Sequence, residues 1–290
     1  MNYIFLDLEW NNAYSKKLSK FINEIIEIGA VKLDANLNVI STFDKIIKSQ
    51  ITKRLGSRFK NLTHITNTEM HEGVPFSTAI DEFLNWCGED FVLVTWSNSD
   101  LYAIAENFKS FLKLNPADCF GLYLDLQKFY QSICPSKDGN QISLKDAADN
   151  LGLSTDNIEF HRALDDSILT SDIFKKINTL GDYSKLLVDT KIKNFYARLL
   201  FHPYLIVDIN DPNIDAEDFI LFCENCGKHL KPIYEWKSVN KQFVNRLKCT
   251  NCKSIYKGCV RIKRHFDHTT VKKRAMPFTP RVSAKTGDNR

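Results

Sequence analysis

The sequence, 290 residues long, contains no run approaching the ~18 uncharged apolar residues of a membrane-spanning helix. Its best candidate, Phe91 to Trp96, is strand-sized. It also lacks a basic segment leading into an apolar one at its amino end. The chain opens Met1-Asn2-Tyr3 and meets acids at Asp7 and Glu9, so no secretory signal is expected and a cytoplasmic location is. Cysteine is too dilute for a disulfide scaffold: there are eight, and four of these fall into two close pairs, the pattern of an intracellular metal site. No internal repeat recurs. With 43% hydrophobic and 26% charged residues, the chain is neither disordered nor collagen-like over most of its length. That length suits one good-sized domain plus a small one, or two of moderate size.

Acidic charge is scarce at one end. Residues 219–290 hold 17 Lys and Arg against 4 Asp and Glu, a net +13, whereas residues 1–218 hold 22 against 31, a net −9. An acidic body with a basic end points to a polyanionic partner for the carboxyl-terminal part, nucleic acid first.

The hydrophobic pattern predicts strands at Tyr3–Leu6, Ile25–Leu33 and Val39–Ile47, in a meander, followed by a helix over Ser77–Trp86. A buried strand at Phe91–Trp96, a helix over Leu101–Leu112, a strand at Leu122–Leu126 and helices near Ser143–Leu151 and Ala163–Ile177 come next. Strands first and strand–helix alternation afterwards predict an α/β domain over residues 1–180. Residues 183–206 read as one more helix, broken at His202-Pro203, and 208–218 as an acidic linker, so that 181–218 joins the two parts. From 265 hydrophobic periodicity fades, and 265–290 is expected to be a flexible basic tail.

Asp7 and Glu9, two apart at the expected end of the first strand, leave the same face. Paired carboxylates there repel one another unless a divalent cation binds between them. Asp100 follows the Phe91–Trp96 strand and opens the next helix, a position for a first-turn acid or for a ligand at the carboxyl edge of a sheet. Farther on, His161-Arg162-Ala163-Leu164-Asp165-Asp166 offers two acids that helical geometry separates. At about 100° per residue, Asp165 shares a solvated stripe with Asp172 and Lys176, whereas Asp166 lines up with the inward-facing Thr170, Ile173 and Ile177. His161 lies just before this helix.

In order and context these residues resemble the DEDDh 3′–5′ exonucleases, the DnaQ-like superfamily of polymerase proofreading subunits and histone-mRNA type exoribonucleases. The resemblance rests on Phe5-Leu6-Asp7-Leu8-Glu9-Trp10 with Asn23-Glu24-Ile25-Ile26-Glu27-Ile28-Gly29-Ala30-Val31, on Thr95-Trp96-Ser97-Asn98-Ser99-Asp100, and on His161 five residues before Asp166. Leu144-Lys145-Asp146-Ala147-Ala148-Asp149-Asn150-Leu151-Gly152-Leu153 supports it, and together these cover roughly residues 1–180. It implies a ribonuclease H-like mixed sheet with flanking helices. It further implies hydrolysis of phosphodiester bonds with two divalent cations, Mg²⁺ or Mn²⁺, about 3.5–4 Å apart. Asp7 would bridge them, Glu9, Asp100 and Asp166 would complete the set, and His161 would serve as general base. The expected substrate is the 3′ end of RNA or of single-stranded DNA. Trp10 is placed either to stack on a terminal base or to pack in the core. Two positions depart from the family: His64 in Leu62-Thr63-His64-Ile65-Thr66, and Ser97, stand where relatives often have glycine.

Cys223-Glu224-Asn225-Cys226 and Cys249-Thr250-Asn251-Cys252 are paired C-x₂-C knuckles, a closed four-thiolate site for structural Zn²⁺ that resembles a zinc ribbon over 219–264. The segment between them suits a β-hairpin. Cys259 and His229 are surplus to it, and Cys87, Cys119 and Cys134 read as buried thiols. So small a unit depends on its metal to stay folded. Its cations, among them Lys237, Lys241, Arg246, Lys248 and Arg261, interleave with Tyr234, Trp236, Phe243 and Tyr256 and suit phosphate contact with base stacking. Docking onto a protein partner is the rival role. A non-catalytic binding or docking module on an exonuclease fold is the alternative to an enzyme.

Overall fold

Strand β1 (Asn2–Ser15) turns back into β2 (Lys20–Leu33), the two pairing antiparallel from Tyr3↔Leu33 to Ser15↔Lys20, and β3 (Val39–Ile46) adds to the outer side of β2. The computed structural model describes residues 1–136, 139–156 and 158–278, and it divides the chain into units 1–200 and 201–290.

After the meander come α1 (Ser57–Thr63), α2 (Asn67–Glu72), α3 (Phe76–Cys87), β4 (Phe91–Thr95), α4 (Ser99–Asn107), β5 (Leu122–Asp125), α5 (Leu126–Ile133), α6 (Leu144–Asn150), α7 (Ala163–Ile177), β6 (Val188–Asp189) and α8 (Phe195–Leu199). Strands β1, β4 and β5 run parallel, and the sheet order is β3-β2-β1-β4-β5-β6. The strand period of two gives β1 two buried faces. Ile4, Leu6 and Leu8 pack with Ile80, Phe83 and Ile104 of α3 and α4. Tyr3 and Phe5 pack with Leu169, Ile173 and Phe174 of α7, where the Phe5 and Phe174 rings lie 5.4 Å apart. Asp7 and Glu9, continuing the Tyr3–Phe5 alternation, therefore face α7. This is the expected ribonuclease H-like mixed sheet with flanking helices.

One glycine sets the distance between α7 and the sheet. Gly29 lies opposite Asp7 in register, and a Cβ added to it would come within 2.0 Å of the Leu164 nitrogen and 2.1 Å of the Ala163 carbonyl carbon. Both are backbone atoms, so the helix start would have to move. Gly29→Ala is expected to destabilise the protein by about 3 kcal/mol or more in chemical denaturation.

Several boundaries differ from the sequence reading. Strand β1 runs on to Ser15, so Asp7 and Glu9 lie mid-strand rather than at its end, and the chain crosses a bulge between Glu9 and Trp10. Residues 183–206 are not one helix: a 3₁₀ turn, the two-residue β6 and five-residue α8 replace it. Short helices α1, α2 and α5 carried no sequence expectation. The first unit extends to Leu200 rather than 180. Of the three cysteines read as buried, Cys87 is, while Cys119 and Cys134 are half-buried.

The second unit is an antiparallel sheet of β7 (Tyr204–Leu205), β8 (Leu230–Pro232), β9 (Lys237–Val239), β10 (Gln242–Cys249), β11 (Ile255–Arg264) and β12 (Thr269–Pro277). The expected hairpin between the knuckles is β9–β10, Lys237 pairing with Val244. Phe243, Leu247, Tyr256, Val260 and Ile262 form its core, and Ile214 from the expected linker and Phe219 from the first residue of the expected ribbon pack against it. The expected tail also joins the sheet as far as Pro277, because β12 pairs with β11 from Thr269↔Arg264 to Pro277↔Tyr256. The tail beyond 278 lies outside the described residues. Among those residues, no helix is long and apolar enough to cross a membrane.

Candidate active site and cysteine cluster

Three elements bring the predicted acids together. Strand β1 supplies Asp7 and Glu9, the start of α4 supplies Asp100, and the first turn of α7 supplies Asp166. Asp100 is 5% exposed, and its Oδ1 accepts a 3.1 Å hydrogen bond from the Leu8 backbone nitrogen, which ties α4 to β1 between the two β1 acids. Glu9, His161 and Asp166 place possible ligand atoms all within 4.8 Å of one another. The His161 nitrogen donates to Asp166 Oδ2 at 3.0 Å, while Asp166 Oδ1 is buried without a hydrogen-bond partner. A buried carboxylate oxygen left unpaired costs about 1–3 kcal/mol, and a cation at this oxygen would remove that penalty. All-oxygen donors of this kind fit Mg²⁺ or Mn²⁺.

Electrostatics tell the same story. Burial, then Asp100, Asp166, Glu9 and Glu27, holds the Asp7 carboxyl well above its ordinary range. Burial and then Asp166, Glu27 and Asp100 push Glu9 to about 9. Burial is the main cause that raises Asp100 to about 7 and Asp166 to about 6. Without a cation these groups resist ionising together. Asp166 is buried, as its helical phase predicts, whereas Asp165, expected on a solvated stripe, is half-buried and accepts a 2.9 Å bond from the Glu159 nitrogen. His161 is exposed and sits at φ 68°, and burial, then the nearby His64, lowers its pKa.

Glu27, to which the sequence pattern assigns no role, has one in the fold. Only 1% exposed on β2, it accepts from Arg162 Nε and Nη2 at 3.0 and 2.7 Å and from the Ala163 nitrogen at 3.0 Å. It thus anchors the start of α7, which carries Asp166 in its first turn and follows directly on His161. The available signal was an acid inside the apolar run Ile25–Val31. Glu27→Ala leaves Arg162 and the helix start unpaired, so a loss of about 3 kcal/mol in denaturant titration is expected.

His64 is the carboxyl cap of α1 at φ 59°, ψ 2°, the left-handed region that glycine adopts without strain. Its Nδ1 lies 3.2 Å from Glu159 Oε1. Trp10 is half-buried and packs against the first core. Beside Asp100, Asn98 and Leu101 line a cavity of about 610 Å³ whose far wall includes Leu186, Ile192 and Phe195.

In the second unit the Sγ atoms of Cys223, Cys226, Cys249 and Cys252 gather within 4.8 Å of one another. The Cys223–Cys252 and Cys226–Cys249 sulfurs are 3.4 Å apart, far beyond a disulfide's ~2.05 Å. Tyr256 places its hydroxyl 3.2 Å from Cys223 Sγ, and the Ser254 hydroxyl beside exposed Cys252 lowers that thiol to about 6. Four thiols so placed, one already inclined to ionise, fit a tetrahedral structural Zn²⁺.

The fold and the acid cluster define a nuclease class, and comparison with known proteins agrees. The chain belongs to the Exonuclease family, whose model matches residues 4–174. It is 26% identical over 194 residues to DNA polymerase III subunit epsilon of Aquifex aeolicus, covering 63% of this chain and 87% of that protein. It is 28% identical over 164 residues to the probable 3′-5′ exonuclease KapD of Bacillus subtilis, covering 56% and 77%. Among solved structures, the nuclease domain of 3′hExo, a DEDDh family member bound to rAMP, superposes with a TM-score of 0.54 at 19% identity, over 62% of this chain and 92% of that one. Cell-death related nuclease 4 gives 0.54 at 16% identity, over 82% of this chain and 74% of that one.

Proposed function

We propose that the protein is a metal-dependent 3′–5′ exonuclease acting on RNA or single-stranded DNA, its second unit contacting the same polymer. The observation that carries this reading is the convergence of Asp7, Glu9, Asp100, Asp166 and His161, with one Asp166 oxygen buried and unpartnered. The names of the relatives support the 3′–5′ direction.

Divalent cations would be held by Asp7, Glu9, Asp100 and Asp166, with Asp7, between the other acids, shared by two of them. Such ions neutralise charge on the phosphodiester and make the attacking water more acidic. His161 takes the proton of that water. Its exposed ring is free to reach the substrate, and its lowered pKa keeps it in the neutral, proton-accepting form near neutral pH. The backbone bond from His161 to Asp166 links the position of the base to that of a metal ligand. Zn²⁺ on the four cysteines serves structure, and the +13 of residues 219–290 supports their contact with nucleic acid.

The test is the pH profile of oligonucleotide hydrolysis at saturating Mn²⁺. Wild-type kcat is expected to rise with pH through a pKa below 6.5 and then level off. His161→Gln is expected to lower kcat by about 10²–10⁴-fold and to abolish this acid limb. An unchanged limb in the variant would remove His161 from the role of base.

A further inference from the structure

The sheet of the second unit has two unlike faces. Alternation turns Phe243, Leu247 and Cys249 of β10 and Tyr256, Val260 and Ile262 of β11 toward the core and the cysteine cluster. The register then fixes the opposite face. Arg246 stands across from Lys257, Gln242 precedes Val244, which pairs with Cys259, and Arg261 stands directly across from Lys272. Lys248, Lys263 and Arg274 share this face, and no acid from β10, β11 or β12 does. Residues directly opposite on antiparallel strands lie about 4.5–5.5 Å apart, and like charges there destabilise the sheet. Among the described residues, no carboxylate forms an ion pair with Lys257, Arg261, Lys272 or Arg274. The fold thus maintains a field of cations that its own residues leave unneutralised.

The face is also contoured. A cavity of about 750 Å³ has Tyr204, Leu205 and Val207 on one side and Arg261, Lys263 and Lys272 on the other. A smaller one, of about 360 Å³, shares Arg261 and Lys272 and adds Lys257 and Arg274. Tyr204 is 49% exposed, and the Arg246 guanidinium lies 4.3 Å from the centre of the Phe278 ring. Cations in a row with the exposed Tyr204 ring and the half-buried Phe278 ring at their margin suit a flexible polyanion whose bases stack: a single-stranded nucleic acid.

We infer that the β10–β11–β12 face turned away from the zinc cluster is a sequence-independent track for the backbone of single-stranded nucleic acid, with Arg261 and Lys272 at its centre. This rests on the exonuclease reading and deepens it, since it separates the two tasks of the second unit: the cysteine side holds the fold and the cation side holds the polymer. Strand β12 is essential to it, because half of the central pair comes from there.

The experiment uses the full chain in an Asp7→Asn background, so that bound oligonucleotide is not degraded. Affinity for a fluorescein-labelled oligouridylate is read by anisotropy from about 50 to 200 mM salt. The variant Lys257→Gln, Arg261→Gln, Lys272→Gln, Arg274→Gln is expected to bind on the order of tenfold more weakly or worse, with a log–log salt slope shallower by about 2–3, near 0.7 per lost phosphate contact. It should keep one zinc per chain and melt no lower than its parent, because repulsion has been relieved. A control removing four scattered exposed cations of the first unit, Lys109, Lys113, Lys176 and Lys191, should change affinity much less. Unchanged affinity in the face variant, or equal weakening in the control, would overturn the track. Hydrolysis of a mononucleotide nitrophenyl ester by the wild-type chain reports on the exonuclease reading separately. If the ester is cleaved while the face variant binds normally, the track alone is refuted.

Discussion

Asp7→Asn is expected to abolish nuclease turnover and, in the metal-free protein, to raise the melting temperature. On the proposed role of Asp7 as a metal ligand, its loss removes several kcal/mol of charge stabilisation from the transition state, which corresponds to a fall of about 10²–10³-fold or more in kcat. Stability moves the other way because Asp7 is crowded by Asp100, Asp166 and Glu9. Each of these carboxyls has a folded pKa above its unfolded one, so the folded state binds more protons and stability falls as pH rises between the two values. The window runs from the ordinary carboxyl range near 4 up to about 9, where Glu9 finally ionises. A carboxyl held two pH units above its unfolded value costs the folded state about 2.7 kcal/mol at high pH. For a unit of this size that is worth about 5–10 °C in melting temperature. Metal-free protein should therefore melt progressively lower from pH 5 to pH 9 in this window, with Mn²⁺ restoring most at the alkaline end. Differential scanning fluorimetry across pH, with and without Mn²⁺, checks this. A flat profile would show that the four acids are not held together as described.

Cys249→Ser is expected to unfold the second unit while leaving the first folded. Cys249 is fully buried, and its neighbours Cys223 and Tyr256 belong to the same core. Structural zinc in small domains contributes about 10–16 kcal/mol, more than this small core can replace. The variant should lose its zinc and its β10–β12 hydrogen-exchange protection. The first unit keeps its own clusters around Leu6, Phe5 and Ile26 and should retain its melting transition. Calorimetry with zinc analysis reads both at once, and a variant that keeps full zinc and a single unchanged transition would contradict the structural assignment.

Much of the site was legible because its chemistry lies in spacing. Asp7 and Glu9 share a strand face whatever the strand's length, and the turn angle of α7 already separated Asp166 from Asp165. The cysteine knuckles needed only their intervals. What the sequence hid was long-range pairing. The apolar run predicted for β1 ends at Leu6, yet the strand continues because β2 pairs with it, past a bulge after Glu9, as far as Ser15. In β12 only Val271 and Ala275 touch the core, so no periodicity marked a strand held chiefly by backbone bonds to β11. Glu27 escaped notice because its partners, Arg162 and the Ala163 nitrogen, lie more than a hundred residues away. The expected 183–206 helix failed for a related reason: sheet pairing of Leu122 with Asp189 breaks it near its start.

The central claim is that this acid cluster cuts nucleic acid from the 3′ end with divalent metal. The most direct measurement is degradation of matched 5′-labelled and 3′-labelled single-stranded RNA and DNA with Mg²⁺ or Mn²⁺, against a chelator control. A metal-dependent ladder of shortening 5′-labelled strands is expected, with immediate release of the 3′ label as a mononucleotide and no ladder from Asp7→Asn. Intact strands under every metal, with oligonucleotide binding preserved, would contradict it.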